Sequence, residues 1–415
     1  MPEILDTRCI VCGSPDLAEL VELPDVPAVA NQVLHSSAEA RQVARTDIRL
    51  VGCRRCGHVF NAAFDLARIA YDGRYENSLM GSHRYRWFTE GIIDRLLSAY
   101  DLAGGTAVEI GCGRGEFLRM LCGQGLRQGI GFDPSRPSSV ETVGGATITI
   151  IGDVFVPDLA PDADIVCSRH VLEHLRRPVN LLRSIQEAYA SSPARVVFIE
   201  VPNGGFMLEE LGVWDPLYEH VSYFTASSLS RSLRLAGFVP GPIQVVFGNQ
   251  FLTAEATFPA SNRHGPAAPH PEATSFDGFG DRFAATIQAW RDWLCRARQE
   301  GRQLALWGAG AKGITFLNIV DRSEERAVAQ VVDINPLKAG AFVAGTGHPI
   351  VPPPALRERR PDLILVMNPE YEPEIRQMLD GLGLDVELVV ISGRLPPMAA
   401  ETPQRLPARR RAAGR

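Results

Sequence analysis

The chain has 415 residues, 45% of them hydrophobic and 22% charged, with a formal net charge of −6. That length allows two to four domains, each long enough to bury its own core. The acidic balance excludes a general nucleic-acid or membrane-surface binder, because both need a basic face. No apolar run approaches the roughly 20 residues that span a bilayer. The opening MPEILDTRC lacks a basic and then apolar leader profile, so the expectation is a cytoplasmic protein with no membrane or nucleic-acid partner.

Residues 1–70 carry two C-x-x-C pairs, Cys9/Cys12 and Cys53/Cys56, separated by 40 residues and each followed by glycine, Gly13 and Gly57. Each C-x-x-C-G predicts a tight turn with both sulfurs to one side. Two such turns supply the four thiolates of a closed, structural zinc site. In a reducing compartment this spacing points to metal rather than disulfides. His58 adjoins Cys56 as a competing ligand, but four cysteines already satisfy the metal. The other cysteines, Cys112, Cys122, Cys167 and Cys295, have apolar neighbours and read as small buried hydrophobes.

Residues 71–258 alternate short apolar runs with amphipathic stretches: TAVEIGCG, EFLRMLCGQG, RQGIGFDPS, ADIVCSRHVLEHL and ARVVFIEVPN. This predicts an α/β domain with an open parallel sheet. The stretch 259–277 is rich in Pro, Ala and Gly and reads as a linker or surface loop. A second α/β block over 278–396 opens with a long helix and continues through LALWGAGAKG, AQVVDINP and DLILVMNP. The basic tail 397–415 is expected to be disordered.

The strongest motif is Glu109-Ile110-Gly111-Cys112-Gly113-Arg114-Gly115, a strand running into a glycine turn and then a helix. Glycines at 111 and 113 let a bulky ligand approach the backbone. Asp133 ends the next strand, 18 residues after Gly115, where an acid accepts ribose hydroxyls. Gly152-Asp153-Val154 follows the third strand and can hold an adenine amino group. His170 and His174 stand four apart at an expected helix start, near the cofactor or, as an alternative, as two metal ligands. Downstream of VVFIEVPN, the loop Pro216-Leu217-Tyr218-Glu219-His220 holds titratable groups where open α/β sheets place ligands. His220 can take a proton near neutral pH; the alternative is a packed amphipathic loop.

This order of segments resembles the class I S-adenosylmethionine methyltransferases over about residues 100–240. The resemblance implies a cofactor set of Glu109, Gly111, Gly113, Gly115, Asp133, Asp153, Val154 and Ser168. The whole chain resembles the nucleotide-sugar C-methyltransferases of deoxysugar biosynthesis: a four-cysteine zinc domain, a class I methyltransferase domain, and a C-terminal Rossmann-like domain. That resemblance implies that His220 is the base, with Glu219 beside it. It removes the proton next to a sugar 4-keto group, and the enolate attacks the sulfonium methyl. The family loop reads tyrosine, histidine, glutamate, histidine, whereas Leu217 and Tyr218 precede Glu219 here. The family also uses a tyrosine after the zinc domain, for which Tyr75 is the choice and Tyr71 the reserve; lid packing is the alternative for both. The C-terminal Gly308–Gly313 turn with Lys312, the segment Asp333-Ile334-Asn335-Pro336 and Gly345–His348 are expected to help hold the nucleotide-sugar, or only to cover the site. The expected acceptor is a dTDP- or other nucleotide-sugar, bound by a monomer or homodimer. Two alternatives stand beside it: transfer to oxygen or nitrogen of a sugar or other metabolite, and an inactive zinc-scaffolded binding protein.

Overall fold

The computed structural model describes residues 7–69, 74–192, 194–259, 275–322 and 325–393. Tyr71, most of the stretch 259–277 and the basic tail lie outside the described residues.

The N-terminal unit contains β1 (Leu17–Pro27), α1 (Ser37–Arg41), β2 (Arg45–Cys53) and β3 (Val59–Asn61). The strands are antiparallel, and β1 and β2 pair from Leu17↔Cys53 to Pro27↔Arg45.

The central unit runs α2 (His83–Tyr100), β4 (Thr106–Ile110), α3 (Glu116–Gly123), β5 (Gln128–Phe132), β6 (Ser139–Val143), β7 (Ala146–Ile151), β8 (Ile165–Arg169), α4 (Pro178–Ala188), β9 (Val196–Pro202), α5 (Gly204–Glu210), β10 (Ser222–Tyr223), α6 (Ala226–Leu235), β11 (Val239–Pro240), β12 (Gln244–Val246) and β13 (Phe251–Thr257). Its sheet has the order β11-β13-β9-β8-β4-β5-β7-β6, with β12 paired to β13. The middle five strands are parallel. Every residue of β4 and β8 is buried, as expected of strands covered by helices on both faces. Both edges differ from the all-parallel expectation. β13 runs antiparallel on β9, and β6 folds back on β7. The second reversal has a local cause: Gly144 and Gly145 both take positive φ, +58° and +89°, which suits a two-residue hairpin turn.

The C-terminal unit runs α7 (Phe279–Gln299), β14 (Leu304–Trp307), α8 (Ala311–Val320), β15 (Val328–Val332), β16 (Ile350–Val351), β17 (Leu363–Val366), α9 (Glu372–Leu382) and β18 (Glu387–Val390). Its five strands are all parallel, in the order β16-β15-β14-β17-β18. The order reverses beside β14, which opens a crevice at its carboxyl end.

The units interlock. β10, from the central stretch, pairs with β3 of the N-terminal sheet through Ser222↔Phe60 and Tyr223↔Val59. One apolar cluster joins Leu23 and Ile48 of the N-terminal unit, Trp214 and Tyr218, and Trp290 and Phe316 of the C-terminal unit. Two local expectations are corrected. Residues Leu172–His174 form one turn of 3-10 helix, not the start of an α-helix, because His170 takes φ +53° and breaks the helical path. Cys295 is exposed on α7, whereas Cys112, Cys122 and Cys167 are buried as expected. No helix among the described residues is long and apolar enough to cross a membrane.

Candidate active site

The four N-terminal cysteines come together. Cys9 and Cys56 have sulfurs 3.6 Å apart, as do Cys12 and Cys53, and all four sulfurs lie within 4.8 Å of one another. Tetrahedral zinc at ~2.3 Å from sulfur needs sulfurs ~3.8 Å apart, so the donor set and its spacing fit that ion. Each turn closes by a backbone bond back to its first cysteine, Gly13 N–H to Cys9 O and Gly57 N–H to Cys53 O, both 2.9 Å. Gly13 and Gly57 take φ of +72° and +71°, a conformation open to glycine without steric cost. His58 is not part of this set. Its Nδ1 lies 3.4 Å from Ser228 Oγ and its ring packs on Phe60 and Phe224. Burial pushes its pKa down to about 3.

The glycine turn after β4 forms an open cradle. Gly111 N–H donates to Phe132 O at 2.8 Å, which ties the turn to β5. A side chain at Gly111 would meet Val171 Cγ2 at 2.2 Å, and the residue sits at φ +73°. The turn therefore rests directly on the 170–174 segment. At Gly113 nothing lies within 4 Å of where a Cβ would stand. Gly113 N–H donates to Asp133 Oδ2 at 2.8 Å, and Asp133 Oδ1 accepts from Ser135 N–H and Oγ–H. Two buried polar atoms beneath the turn, Glu109 Oε2 and Ser168 Oγ, have no hydrogen-bond partner. Buried polar groups are rarely left so, and an open cradle with unmet donors and acceptors suits a polar ligand. Burial pushes the Glu109 carboxyl up to about 8, against the pull of Arg169. Asp153 and Val154 are exposed, and Asp153 Oδ1 accepts from Val154 N–H.

Behind the cradle lies a buried ionic network that the motifs did not announce. Arg169, the last residue of β8, donates to Glu200 at 2.9 Å and to the Tyr85 hydroxyl at 3.1 Å. Its guanidinium stands 4.3 Å from the Phe117 ring centroid. His170 reaches Glu200 with Nε2 at 3.0 Å and Glu173 with Nδ1 at 3.4 Å. Burial works against its charge, but the two carboxylates raise it to about 9. Burial likewise opposes ionised Glu200, yet Arg169 and His170 hold it down at about 2.

His174 turns the other way. Its Nδ1–H donates to Glu219 O at 2.9 Å, and its ring meets that of His220 edge to face at 4.8 Å and 85°. Glu173, His174 and His220 each bring one nitrogen or oxygen within 4.8 Å of the others. His220 is half-buried. Burial, with the neighbouring charges of His170 and Lys312, holds its pKa well below the usual imidazole range. At neutral pH an imidazole so placed is unprotonated, and its ring nitrogen has a lone pair open to a proton.

The rest of the loop is anchored. Glu219 Oε1 accepts from Ala30 N–H at 2.9 Å. Tyr218 is buried, stacks on Phe64, and accepts from Asp65 N–H at 2.8 Å. Its hydroxyl thus faces the N-terminal unit. Tyr223 O–H donates to Leu217 O and accepts from Leu217 N–H, both at 2.9 Å. Tyr75 forms a β-bridge with Gln32 of the N-terminal unit.

The second glycine turn repeats the cradle's logic. Ala309 N–H donates to Asp333 Oδ2 at 2.8 Å, and Asn335 N–H to Asp333 Oδ1 at 2.8 Å. Buried Lys338 caps Ala309 O at 2.9 Å. Lys312 pairs with Asp215 of the central unit at 2.9 Å. It borders a cavity of about 240 Å³ between the two units, with Phe206, Trp214, Gln250, Met367 and Ile391 among its walls. Gly345–His348 docks on the N-terminal unit, through Gly345 N–H to Ala40 O and Ser37 Oγ to Gly347 O. Sequence reasoning missed Glu76, Arg169 and Glu200 as site-supporting residues. Glu173 stood inside a quoted motif, but no spacing rule set it apart from its neighbours.

A methyltransferase-domain model matches residues 80–240, and a C-methyltransferase C-terminal-domain model matches residues 266–385. No curated protein matches the chain. Among solved structures, similar chains include magnesium protoporphyrin IX methyltransferase from Synechocystis PCC 6803 with bound SAH. It has 16% identity and TM-score 0.33, covering 42% of this chain and 84% of that one. A second is 1,6-didemethyltoxoflavin-N1-methyltransferase from Burkholderia thailandensis, with bound 1,6-didemethyltoxoflavin and S-adenosylhomocysteine. It has 18% identity and TM-score 0.32, covering 42% and 81%. A third is an S-adenosylmethionine dependent methyltransferase from Mesorhizobium loti, at 16% identity and TM-score 0.31, covering 41% and 97%. The fold and the matched domain make this chain an S-adenosylmethionine-dependent methyltransferase of the class I type. The second domain model, over its C-terminal unit, supports placing it with the C-methyltransferases.

Proposed function

We propose that the protein methylates carbon on a nucleotide-linked 4-keto-deoxysugar, with His220 as the base, and that the four cysteines hold a structural zinc ion. S-adenosylmethionine supplies, when bound, an electrophilic methyl group on sulfur. Gly113 leaves room for it while Gly111 and Gly115, both at positive φ, shape the turn, Asp133 takes its ribose, Asp153 and Val154 border its adenine, and Glu109 and Ser168 meet its polar groups from below. His220 removes the proton on the carbon beside the keto group, and Glu173 and the Glu219–His174 bond steady the imidazolium that forms. Tyr75 lies on the segment that crosses toward the acceptor. Lys312 offers its charge to the nucleotide phosphates in the 240 Å³ cavity between the two sheets.

The observation that carries this reading is the state of His220. It is half-buried, its pKa is held down chiefly by burial, its ring meets that of His174, and Glu173 stands within reach. The segment carrying His174 also bears on the glycine turn through Val171. A second reading, transfer to oxygen or nitrogen, draws on Tyr218, whose hydroxyl faces Asp65 and leaves the loop with one fewer acid–base group.

The test is calorimetric binding of dTDP and UDP to protein saturated with S-adenosylhomocysteine. Saturable binding of one nucleotide, followed by methyl transfer to a keto-sugar carrying it and a loss of about 100-fold or more in kcat for His220→Asn, is the expected result. Absence of nucleotide binding overturns the sugar acceptor; an unimpaired His220→Asn enzyme overturns the base.

A further inference from the structure

The segment 74–86 crosses all three units, and one buried side chain stands at its centre. Glu76 is 3% exposed. Its backbone N–H donates to Asn31 O at 2.8 Å, which holds it to the N-terminal unit. Its Oε2 accepts from Arg114 at 2.6 Å, within the cofactor's glycine turn. Its Oε1 accepts from Asn335 Nδ2 at 3.1 Å, in the acid loop of the second sheet, and from Ser78 N–H at 3.1 Å. Asn335 belongs to the loop in which Asp333 binds the Gly308–Gly313 turn. The segment's neighbours reinforce the crossing. Ser78 Oγ–H donates to Glu116 at the start of α3 at 2.9 Å, and Ser82 Oγ–H to Glu374 of the C-terminal unit at 2.6 Å.

We propose that Glu76 is a positioning residue that couples the two glycine turns, so that the grip on S-adenosylmethionine depends on Asn335 of the other sheet. Arg114 lies between Gly113 and Gly115, both at positive φ. Glycines leave such a turn with little stiffness of its own, and an arginine clamped by a buried carboxylate supplies it through a charge-assisted bond. Asn335 orients that carboxylate. By reciprocity, a ligand that orders the second acid loop tightens cofactor binding, and cofactor binding tightens the second loop by the same factor. None of this requires the sugar reading.

A substitution separates coupling from folding. Asn335 Oδ1 caps a 3-10 turn by accepting from Leu337 N–H at 3.0 Å. Asn335→Asp keeps that cap while turning the donor that faces Glu76 into a carboxylate. S-adenosylhomocysteine binding is measured by calorimetry on full-length wild type, E76Q, N335D and E76Q/N335D, with thermal unfolding recorded for each. E76Q and N335D each weaken binding about tenfold, and the double variant is no weaker than E76Q alone, because the repulsion N335D creates is gone. Asn335→Ser, which keeps a capping oxygen and removes the amide that donates to Glu76, weakens binding in the same direction. Wild-type affinity in N335D, or losses that multiply in the double variant, overturns the proposal.

Discussion

His170 shows how charge and backbone conformation combine at one residue. Its φ of +53° lets a single side chain reach both Glu200 and Glu173. A left-handed histidine is uncommon and costs about 1–2 kcal/mol relative to the ordinary regions, so its contacts must offset that. Its pKa is 6.5 when unperturbed and about 9 in the fold. A group raised in this way binds more protons folded than unfolded between those values, so its stabilisation is full below pH 6.5 and is lost as pH rises through about 9. Urea unfolding of wild type and His170→Gln will differ most below pH 6.5, and the gap will close by about pH 9. Tyr218 poses a different question. Removing its hydroxyl takes away the bond from Asp65 N–H, at a net cost of about 0.5–1.5 kcal/mol. Tyr218→Phe will lower the melting temperature but change kcat less than about threefold, the opposite pattern to that expected of His220→Asn.

At the scale of elements, one sheet joins the cysteine turns to the strand that follows His220. β10 begins two residues after His220 and is held by β3, whose other neighbour β2 ends at Cys53. Zinc would thus anchor the strand that fixes the end of the base's loop. Stripping metal with a strong chelator will abolish methyl transfer in step with zinc loss. S-adenosylhomocysteine binding, which rests on β4, β5 and their turns, will outlast it. Zinc content, activity and calorimetric affinity measured on the same samples check this order. The 3-10 turn Leu172–His174 has a comparable role. It sends His170 to the ionic network and His174 to His220, a split that one continuous α-helix face would not permit.

At the scale of the whole molecule, the three units work as one body with a shared core. The C-terminal sheet reaches the central unit through Lys312, which bonds Asp215 and adds its charge to those acting on His220. Lys312→Met will therefore have two separable effects: weaker nucleotide binding by about tenfold or more, and an upward shift of the base's pKa in the pH–rate profile. S-adenosylhomocysteine affinity will change less than about twofold, since Lys312 bonds Asp215 and stands outside the Arg114–Glu76–Asn335 link.

Much of this was legible in the chain itself. The two C-x-x-C-G turns, the glycine turn ending β4, the acid ending β5 and the three-part order are local patterns, and local patterns follow from backbone geometry over a few residues. The Gly144-Gly145 hairpin was equally local and was passed over. Tertiary structure alone decided the rest. Whether Tyr218 faces the acceptor or Asp65, whether His170 and His174 share a partner, and whether Glu76 meets Arg114 and Asn335 all depend on segments far apart in sequence. The Glu76–Asn335 contact spans 259 residues. No periodicity encodes such a meeting, because the alternation of buried and exposed positions specifies which face of an element is covered and not which distant residue covers it.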